Sequence, residues 1–197
     1  KLFDWCVPLI DLFDIKEYRI IRNISKGGFG IVNLVQNKKS GNKYAAKTNL
    51  IQNKSQNKLF VSREVRILIK IQHPTIIQFR GFSYQDFDGN QNVTILMDFM
   101  NEGSLAELIE KEQRGLCPSN YDDTKRQIIL VGIARGMMTL HKNHIIHRDL
   151  KPENILLDGD FNPRITDFGL SKQYQTDDPL DQSKICGTTM YMAPEVI

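Results

Sequence analysis

Residues 147–157 read HRDLKPENILL, and after a short polar turn residues 165–169 read ITDFG. An arginine, a lysine, a glutamate, an asparagine and two aspartates, Asp149 and Asp167, are crowded there between apolar runs. Pro152 interrupts the first segment and Gly169 closes the second, so neither reads as continuous helix. The apolar flanks are expected to be short strands that anchor two polar loops, both presented to one cleft. So many polar groups beside apolar anchors need protein partners, a ligand or water, which makes this the first place to look for chemistry.

The chain has 197 residues, enough for one large domain or two small lobes, and 41% apolar with 25% charged residues is the balance of a soluble globular protein. A net charge of +3, with both signs mixed along the chain, argues against nucleic acid or membrane as the main partner. Cys6, Cys117 and Cys186 are odd in number and lack metal-ligand or CxxC spacing, so no disulfide framework or zinc ribbon is expected. A reducing, intracellular compartment, the cytoplasm, fits that usage. No stretch approaches the roughly 20 apolar residues that span a bilayer. The start, KLFDWCVPLIDLFD, lacks a basic leader with a cleavage site and an initiator Met, and the chain stops at APEVI. Both ends are therefore expected to be cut from a longer protein.

Strand-like segments fill the first half: 18–25, 31–37 and 43–50, separated by glycine-rich and KKSGN turns. Residues from about 55 to 71 change to a helical period, with Phe60, Glu64, Leu68 and Ile71 on one face. HPTIIQFRGFS (73–83) and NVTILMDFM (92–100) read as two further strands, so a five-stranded antiparallel sheet with one helix is expected. From Gly103 the pattern is helical: a short helix from Ser104 to about Lys111, then a long one from about Asp122 to Lys142 with Ile129, Ile133, Met137 and Leu140 aligned. The boundary between lobes falls at DFMNEGS, giving an N-terminal flank at 1–17, a first lobe at 18–100 and a second at 101–197. A cleft between two lobes is the default place for a ligand.

ISKGGFGIV (24–32) sets three glycines between two strands. Without Cβ atoms, such a turn lets backbone N–H groups approach phosphate oxygens. Taken alone it fits an ordinary hairpin equally well. Lys47 in the third strand would read as a solvated lysine, except that Glu64 lies on the apolar stripe of the helix, where a carboxylate is costly unless a cation meets it. His141, His144 and His147 recur at intervals of three, but no cysteine or acid completes a ligand set, and His147 reads as a packed histidine steadying its loop. His73, before Pro74, reads as a turn residue. Around Asp149, Lys151, Asn154 and Asp167 the groups are complementary: an acid for a hydroxyl, amide and carboxylate oxygens for a metal, a cation for phosphate.

With these motifs in sequence order, the chain from about Tyr18 to Ile197 resembles the eukaryotic protein kinases. The resemblance implies an α+β, bilobal fold: a five-stranded antiparallel first lobe with one helix, and a mainly α-helical second lobe that runs to the APE motif at Ala193–Glu195 and is incomplete. It implies ATP and Mg²⁺ as cofactors. Ser25, Lys26, Gly27, Gly28, Phe29 and Gly30 would form the glycine-rich loop, and Lys47, paired with Glu64, would position phosphate. Val32, Ala45 and Leu156 would sandwich the adenine, Met97 would stand behind it, and the backbone of Asp98 and Met100 would bond its edge. Asp149 would orient the substrate hydroxyl, Lys151 would meet the γ-phosphate, Thr188 would help hold the hydroxyl, and Asn154 and Asp167 would bind Mg²⁺.

DLKPEN and GTTMYMAPE resemble the serine/threonine-specific kinases, and MDFMNEGSL is similar to the tyrosine-kinase-like group. Protein substrates with Ser or Thr acceptors are then implied. Arg148 beside Asp149 implies regulation by an upstream kinase acting on Ser183 first, with Thr176 and Thr189 behind it. Asp177, Asp178 or Asp181 would partly serve if the loop is ordered without phosphate. Two departures stand out: Ser25 replaces the first glycine of the loop, and the helices that in the family tether the catalytic loop and supply an arginine for the glutamate here numbered Glu195 are expected to lie beyond Ile197. The competing reading is a non-catalytic, pseudokinase-like nucleotide-binding or scaffold module, against which the intact Lys47, Glu64, Asp149, Asn154 and Asp167 argue.

Overall fold

The computed structural model describes residues 12–27, 30–50, 56–174 and 187–196, with the side chains of residues 56–60 excepted. Gly28, Phe29, Cys6, Cys186, Thr176, Ser183 and the aspartates at 177, 178 and 181 lie outside the described residues. Contacts divide the chain into two units, Lys1–Ile69 with Gln78–Phe99, and Lys70–Ile77 with Met100–Ile197.

The first unit is built on β1 (Tyr18–Gly27), β2 (Gly30–Asn37), β3 (Lys43–Thr48), β4 (Phe79–Ser83) and β5 (Thr94–Asp98). They form one antiparallel sheet in the order β1-β2-β3-β5-β4. The β2–β3 turn follows from its sequence: Asn37 Oδ1 accepts from the backbone N–H groups of Lys39 and Ser40, and Gly41 takes φ of +75°. Directly paired residues share a face of the sheet, so the register Val32↔Lys47, Leu34↔Ala45, Ala45↔Met97 and Lys47↔Ile95 gathers these side chains on one side. The other side carries Val35, Ala46 and Leu96 under Phe13, Tyr18, Tyr44 and Phe87. Chain preceding β1 joins this face: Leu12 bridges Phe82, and Phe13 N–H donates to the Phe82 carbonyl at 3.1 Å. Helix α1 (Gln56–Lys70) buries Val61, Glu64, Val65, Ile67 and Leu68.

One expected strand is shorter than its apolar pattern. Residues 73–78 form a turn and an isolated bridge, and β4 begins only at Phe79. The cause is local. His73 Nδ1 accepts from Thr75 N–H at 3.2 Å and contacts Thr75 Oγ1 at 2.9 Å, Ile76 N–H returns to the His73 carbonyl, and Pro74 has no N–H for a ladder. Ile77 and Thr75 then bond to Ile165 within the second unit.

The second unit contains β6 (Gly103–Ser104), α2 (Leu105–Gln113), α3 (Asp123–Lys142), β7 (Ile145–Ile146), β8 (Ile155–Leu157), β9 (Pro163–Ile165) and β10 (Lys172–Gln173). Helix α2 starts on a capping box in which Ser104 Oγ accepts from Glu107 N–H and Glu107 Oε2 from Ser104 N–H. Helix α3 starts on Asp122, whose Oδ1 accepts from Lys125 N–H at 2.8 Å. Its buried stripe is Ile129, Gly132, Gly136 and Leu140, with Ile133 and Met137 only half-buried. The glycines are there because β9 lies too close for a side chain. A Cβ on Gly132 would stand 2.4 Å from Pro163 Cγ, and one on Gly136 would stand 2.6 Å from Ile165 Cδ1. A core of Leu108, Ile129, Leu157 and Phe161 fixes α2 and α3 against the β8–β9 hairpin. Among the described residues no helix is long and apolar enough to cross a membrane.

Candidate active site

Strand alternation decides what Lys47 can do. Its register on β3 turns it to the face that holds Ala45 and Met97, and α1 brings Glu64 to the same place. Lys47 Nζ donates to Glu64 Oε1 at 2.8 Å and Oε2 at 2.9 Å, with the lysine side chain 11% exposed and the glutamate 2%. A carboxylate that deep is tolerated because both of its oxygens are met by a cation. Ala45 and Met97 are buried and Val32 is half-buried on this face.

On the described part of the glycine-rich segment, Ser25, Lys26 and Gly27 of β1 pair with Val32, Ile31 and Gly30 of β2. Gly30 takes φ of +139°, and a Cβ there would meet the Thr48 carbonyl oxygen at 2.1 Å. This glycine is therefore required by packing on β3. Asp98 carries its carboxylate to Arg80, with Nε to Oδ1 at 2.6 Å, and its N–H donates to the Gln78 carbonyl at 3.1 Å. Met100 belongs to the second unit and is half-buried, as is Leu156 on β8.

In the second unit the two polar segments are tied to each other at several points. His147, buried, donates from Nε2 to the Thr166 carbonyl at 2.9 Å while Nδ1 accepts the Asp149 N–H at 3.3 Å. Those two bonds require the neutral tautomer with its proton on Nε2, and burial pushes the His147 pKa below its ordinary value, against the opposing pull of the Thr166 carbonyl and nearby aspartates. Phe168, fully buried, packs on the His147 ring at 5.2 Å. Ser171 Oγ donates to the His147 carbonyl, Thr166 N–H to the Asn154 carbonyl, and Arg148 Nε to the Leu170 carbonyl at 2.6 Å. Arg148 and Asp167 both hold positive φ, +67° and +64°, so each loop turns sharply next to an aspartate or at one.

Asp149 is the best-supported group in the site. Its Oδ1 accepts from Thr188 N–H at 2.8 Å and Thr188 Oγ1 at 2.7 Å, and its Oδ2 from Asn154 Nδ2 at 3.1 Å and Lys151 Nζ at 3.0 Å. Lys151 Nζ also donates to Thr188 Oγ1 at 2.8 Å. Burial alone would raise the Asp149 pKa, but the Thr188 and Lys151 hydrogen bonds and the Lys151 charge prevail and hold it below the ordinary carboxylate value. The carboxylate is thus ionised at neutral pH and aimed, an arrangement able to orient a hydroxyl. Asn154 gives its Nδ2 to both the carbonyl and the carboxylate of Asp149, which leaves the amide oxygen as its remaining polar atom. An amide oxygen and the Asp167 carboxylate are the hard oxygen donors that Mg²⁺ accepts.

Thr188 reaches Asp149 through Gly187, the first residue of GTTMYMAPE, to which the motif reading gave no role. Gly187 takes φ of +114°, and a Cβ there would lie 2.3 Å from the Arg148 carbonyl oxygen. Its signal in the sequence was its place directly before Thr188 in that motif. His141 and His144 contribute elsewhere, to Tyr174: its hydroxyl lies 3.1 Å from His144 Nδ1 and donates to the His141 carbonyl at 3.5 Å. Among the described residues no three His, Cys, Asp or Glu side chains are grouped as a metal site. Thr189 begins a short 3₁₀ turn and is exposed.

The sequence profile of the protein kinase domain matches residues 18–197. The chain belongs to the protein kinase domain family. Its relatives include serine/threonine-protein kinase AtPK1/AtPK6 of Arabidopsis thaliana, 33% identical over 97% of this chain and 39% of that protein. The cAMP-dependent protein kinase type 3 of Saccharomyces cerevisiae is 33% identical over 94% of this chain and 44% of that protein. Mitogen-activated protein kinase kinase 1 of Arabidopsis thaliana is 35% identical over 96% and 51%. The kinase-domain chain thus spans roughly half or less of each relative. The expected five-stranded antiparallel sheet with one helix, and the helix-dominated second unit, are those of this kinase domain.

Proposed function

We propose that the protein containing this kinase domain is a serine/threonine kinase that transfers the γ-phosphate of Mg-ATP to a Ser or Thr hydroxyl of a protein substrate. The observation that carries this reading is the arrangement around Asp149: an ionised carboxylate held on one oxygen by Thr188 and on the other by Asn154 and Lys151. Phosphoryl transfer asks for an aligned hydroxyl and neutralised phosphate charge more than for covalent participation by the protein. Asp149 takes the hydroxyl role, since its depressed pKa keeps it an acceptor, and Thr188 steadies the same oxygen. Lys151, shared between Asp149 and Thr188, is the cation placed to meet the transferring phosphoryl.

A bound nucleotide would supply the phosphoryl group and its Mg²⁺ would supply charge neutralisation, with the Asn154 amide oxygen and the Asp167 carboxylate as the groups that would hold the ion. Lys47, fixed by Glu64, takes the phosphate-positioning role, and the hairpin at 25–30 covers the phosphates. Val32, Ala45, Met97 and Leu156, with the backbone of Asp98 and Met100, accept the adenine. The lobe assignment at 18–100 and 101–197, and an upstream kinase for Ser183, Thr176 or Thr189, belong to this reading.

The test is transfer of radiolabelled phosphate from Mg-ATP to a generic Ser/Thr-rich protein, by this chain and by the longer parent, each beside Asp149→Asn. Transfer that persists undiminished in Asp149→Asn refutes the role given to Asp149. Mg-ATP that raises the melting temperature without any transfer in either protein favours the nucleotide-binding, non-catalytic alternative, because ligand at a hundredfold excess over its Kd stabilises by about 2.7 kcal/mol.

A further inference from the structure

Residues 12–17 precede the part of the chain that the kinase profile matches, yet they are built into the first unit. They start at β4, one edge of the sheet, where Leu12 bridges Phe82 in parallel and Phe13 N–H donates to the Phe82 carbonyl at 3.1 Å. They end beside the chain that follows β2, where Lys38 N–H donates to the Glu17 carbonyl at 2.8 Å and Lys38 Nζ to the Lys16 carbonyl at 2.7 Å. Strands β5 and β3 lie between those two anchors, so the segment crosses the sheet. Its turn is encoded locally: Asp14 Oδ1 accepts from Lys16 N–H at 2.9 Å, and the Asp14 carbonyl accepts from Glu17 N–H at 3.0 Å.

Phe13 is what the segment adds to the cover over Val35, Ala46 and Leu96, all fully buried. Its ring meets Tyr18 edge-on at 5.3 Å, and Tyr18 meets Tyr44 edge-on at 6.0 Å. Along β2, β3 and β5 the residues under that cover alternate with Leu34, Ala45 and Met97, which lie on the opposite side with Lys47. A close-packed core does not absorb the loss of an aromatic ring without movement, and a strand that shifts on one side carries the side chains of its other side with it. The cover behind the sheet and the face that bears Lys47 are therefore mechanically joined.

We propose that residues 12–17 are a conformational strap. Docked, they hold β3 and β5 in the arrangement that presents Lys47 and Met97; released, they leave the first unit folded with that face loosened. The consequence for nucleotide rests on the reading of this face as the ATP site. A nucleotide that prefers the held face favours the docked strap, and by reciprocity the docked strap raises nucleotide affinity by the same factor.

The test is amide hydrogen exchange of the full chain, read residue by residue by NMR, together with titration of the fluorescent nucleotide mant-ATP with Mg²⁺. Phe13→Asp and the milder Phe13→Ala remove the ring, and Phe13→Leu keeps an apolar cover. In the first two, exchange in β3 and β5 should quicken by about tenfold or more while α3 of the second unit is unchanged, and Phe13→Leu should stay within about threefold of the parent. Lys39→Ala breaks only the pair with Glu17, whose side chains are 81% and 40% exposed, and should leave exchange unchanged. The Kd for mant-ATP should rise by about threefold to tenfold in Phe13→Asp, and saturating nucleotide should slow exchange at the Phe13 amide of the parent by a like factor. Unchanged exchange in β3 and β5 overturns the proposal, as does acceleration that is equal in α3 for both ring-removing variants, since that marks general unfolding. So does a Kd that Phe13→Asp leaves as in the parent. Quickened exchange confined to the sheet, in a parent that does not bind mant-ATP, supports the strap and refutes the nucleotide reading alone.

Discussion

Gly187→Ala tests whether Thr188 is held at Asp149 by the backbone preceding it. At φ of +114° any L residue is strained, and its Cβ would sit 2.3 Å from the Arg148 carbonyl oxygen, where contacts under 3.0 Å essentially never occur. The segment must therefore retreat from the loop at Arg148 by about 0.7 Å, the difference between those two distances. Added to the bonds from Thr188 to Asp149, now 2.7 and 2.8 Å, that retreat takes both to the edge of hydrogen bonding. Backbone strain costs about 1–3 kcal/mol, and weakening two bonds to a carboxylate adds about 1 kcal/mol or more, so a loss of about 2–4 kcal/mol is expected. Because a shift of about 1 Å in a positioning group can cost a hundredfold in rate, phosphotransfer should fall by about that factor even in the fraction that stays folded. Urea unfolding gives the first quantity and single-turnover transfer the second. Gly159→Ala is the control, since the nearest group to its added Cβ is Asn101 Nδ2 at an ordinary 3.8 Å. If Gly187→Ala unfolds within about 0.5 kcal/mol of the parent and keeps its rate, the steric reasoning is wrong.

Gly136→Ala meets both the Ile165 side chain at 2.6 Å and Thr75 Oγ1 at 2.8 Å, so it should destabilise by about 1–3 kcal/mol despite the better helix propensity of alanine, a loss read from the urea midpoint. Lys47→Met takes from the Glu64 carboxylate, 2% exposed, the cation that meets both its oxygens and should cost about 3–5 kcal/mol, whereas Lys47→Met with Glu64→Leu should recover most of it; a double variant no better than the single removes the ion pair as the cause. The His147 pKa lies below its unfolded value near 6.5, so its contribution to stability is complete above about pH 6.5 and is lost as pH falls through the folded value. His147→Gln should abolish that slope in urea midpoints measured between about pH 7 and 5. Asp149 and Asp86 are both depressed below the usual carboxylate value, so their stabilisation is present above about pH 4 and disappears below it, and Asp149→Asn should shrink the acid-induced loss.

Much of the fold was legible because period and pairing are written in residue types. Alternation in 31–37 and 43–48 gave the strands, and a carboxylate on an otherwise apolar helical stripe implied a buried cation, which the Lys47–Glu64 distances of 2.8 and 2.9 Å express. The strand read across 73–83 failed because apolar content was weighed above local bonding: His73 closes a turn on Thr75 and Ile76, and Pro74 cannot join a ladder. The stripe assigned to α3 was displaced for a related reason. Ile133 and Met137 were counted toward the core because they are large and apolar, while Gly132 and Gly136 were passed over because they have no side chain to bury.

The same asymmetry marks the limit of motif reading at the site. A motif records the residues whose atoms touch a ligand or a partner, and here Asp149, Asn154, Lys151 and Thr188 do meet one another within 3.1 Å. It records less well the positions where an atom must be missing. Gly30 against Thr48, Gly132 against Pro163, Gly136 against Ile165 and Gly187 against Arg148 each stand where a Cβ would come within 2.6 Å of its neighbour. Three of these four contacts join segments far apart in sequence, and the fourth lies on the β2–β3 pairing, so even where a motif includes the glycine, as at Gly30 and Gly187, it does not name the neighbour that excludes a Cβ. Groups proposed as catalytic are identified by what they carry, whereas the approach distances that align them depend on what the intervening residues lack.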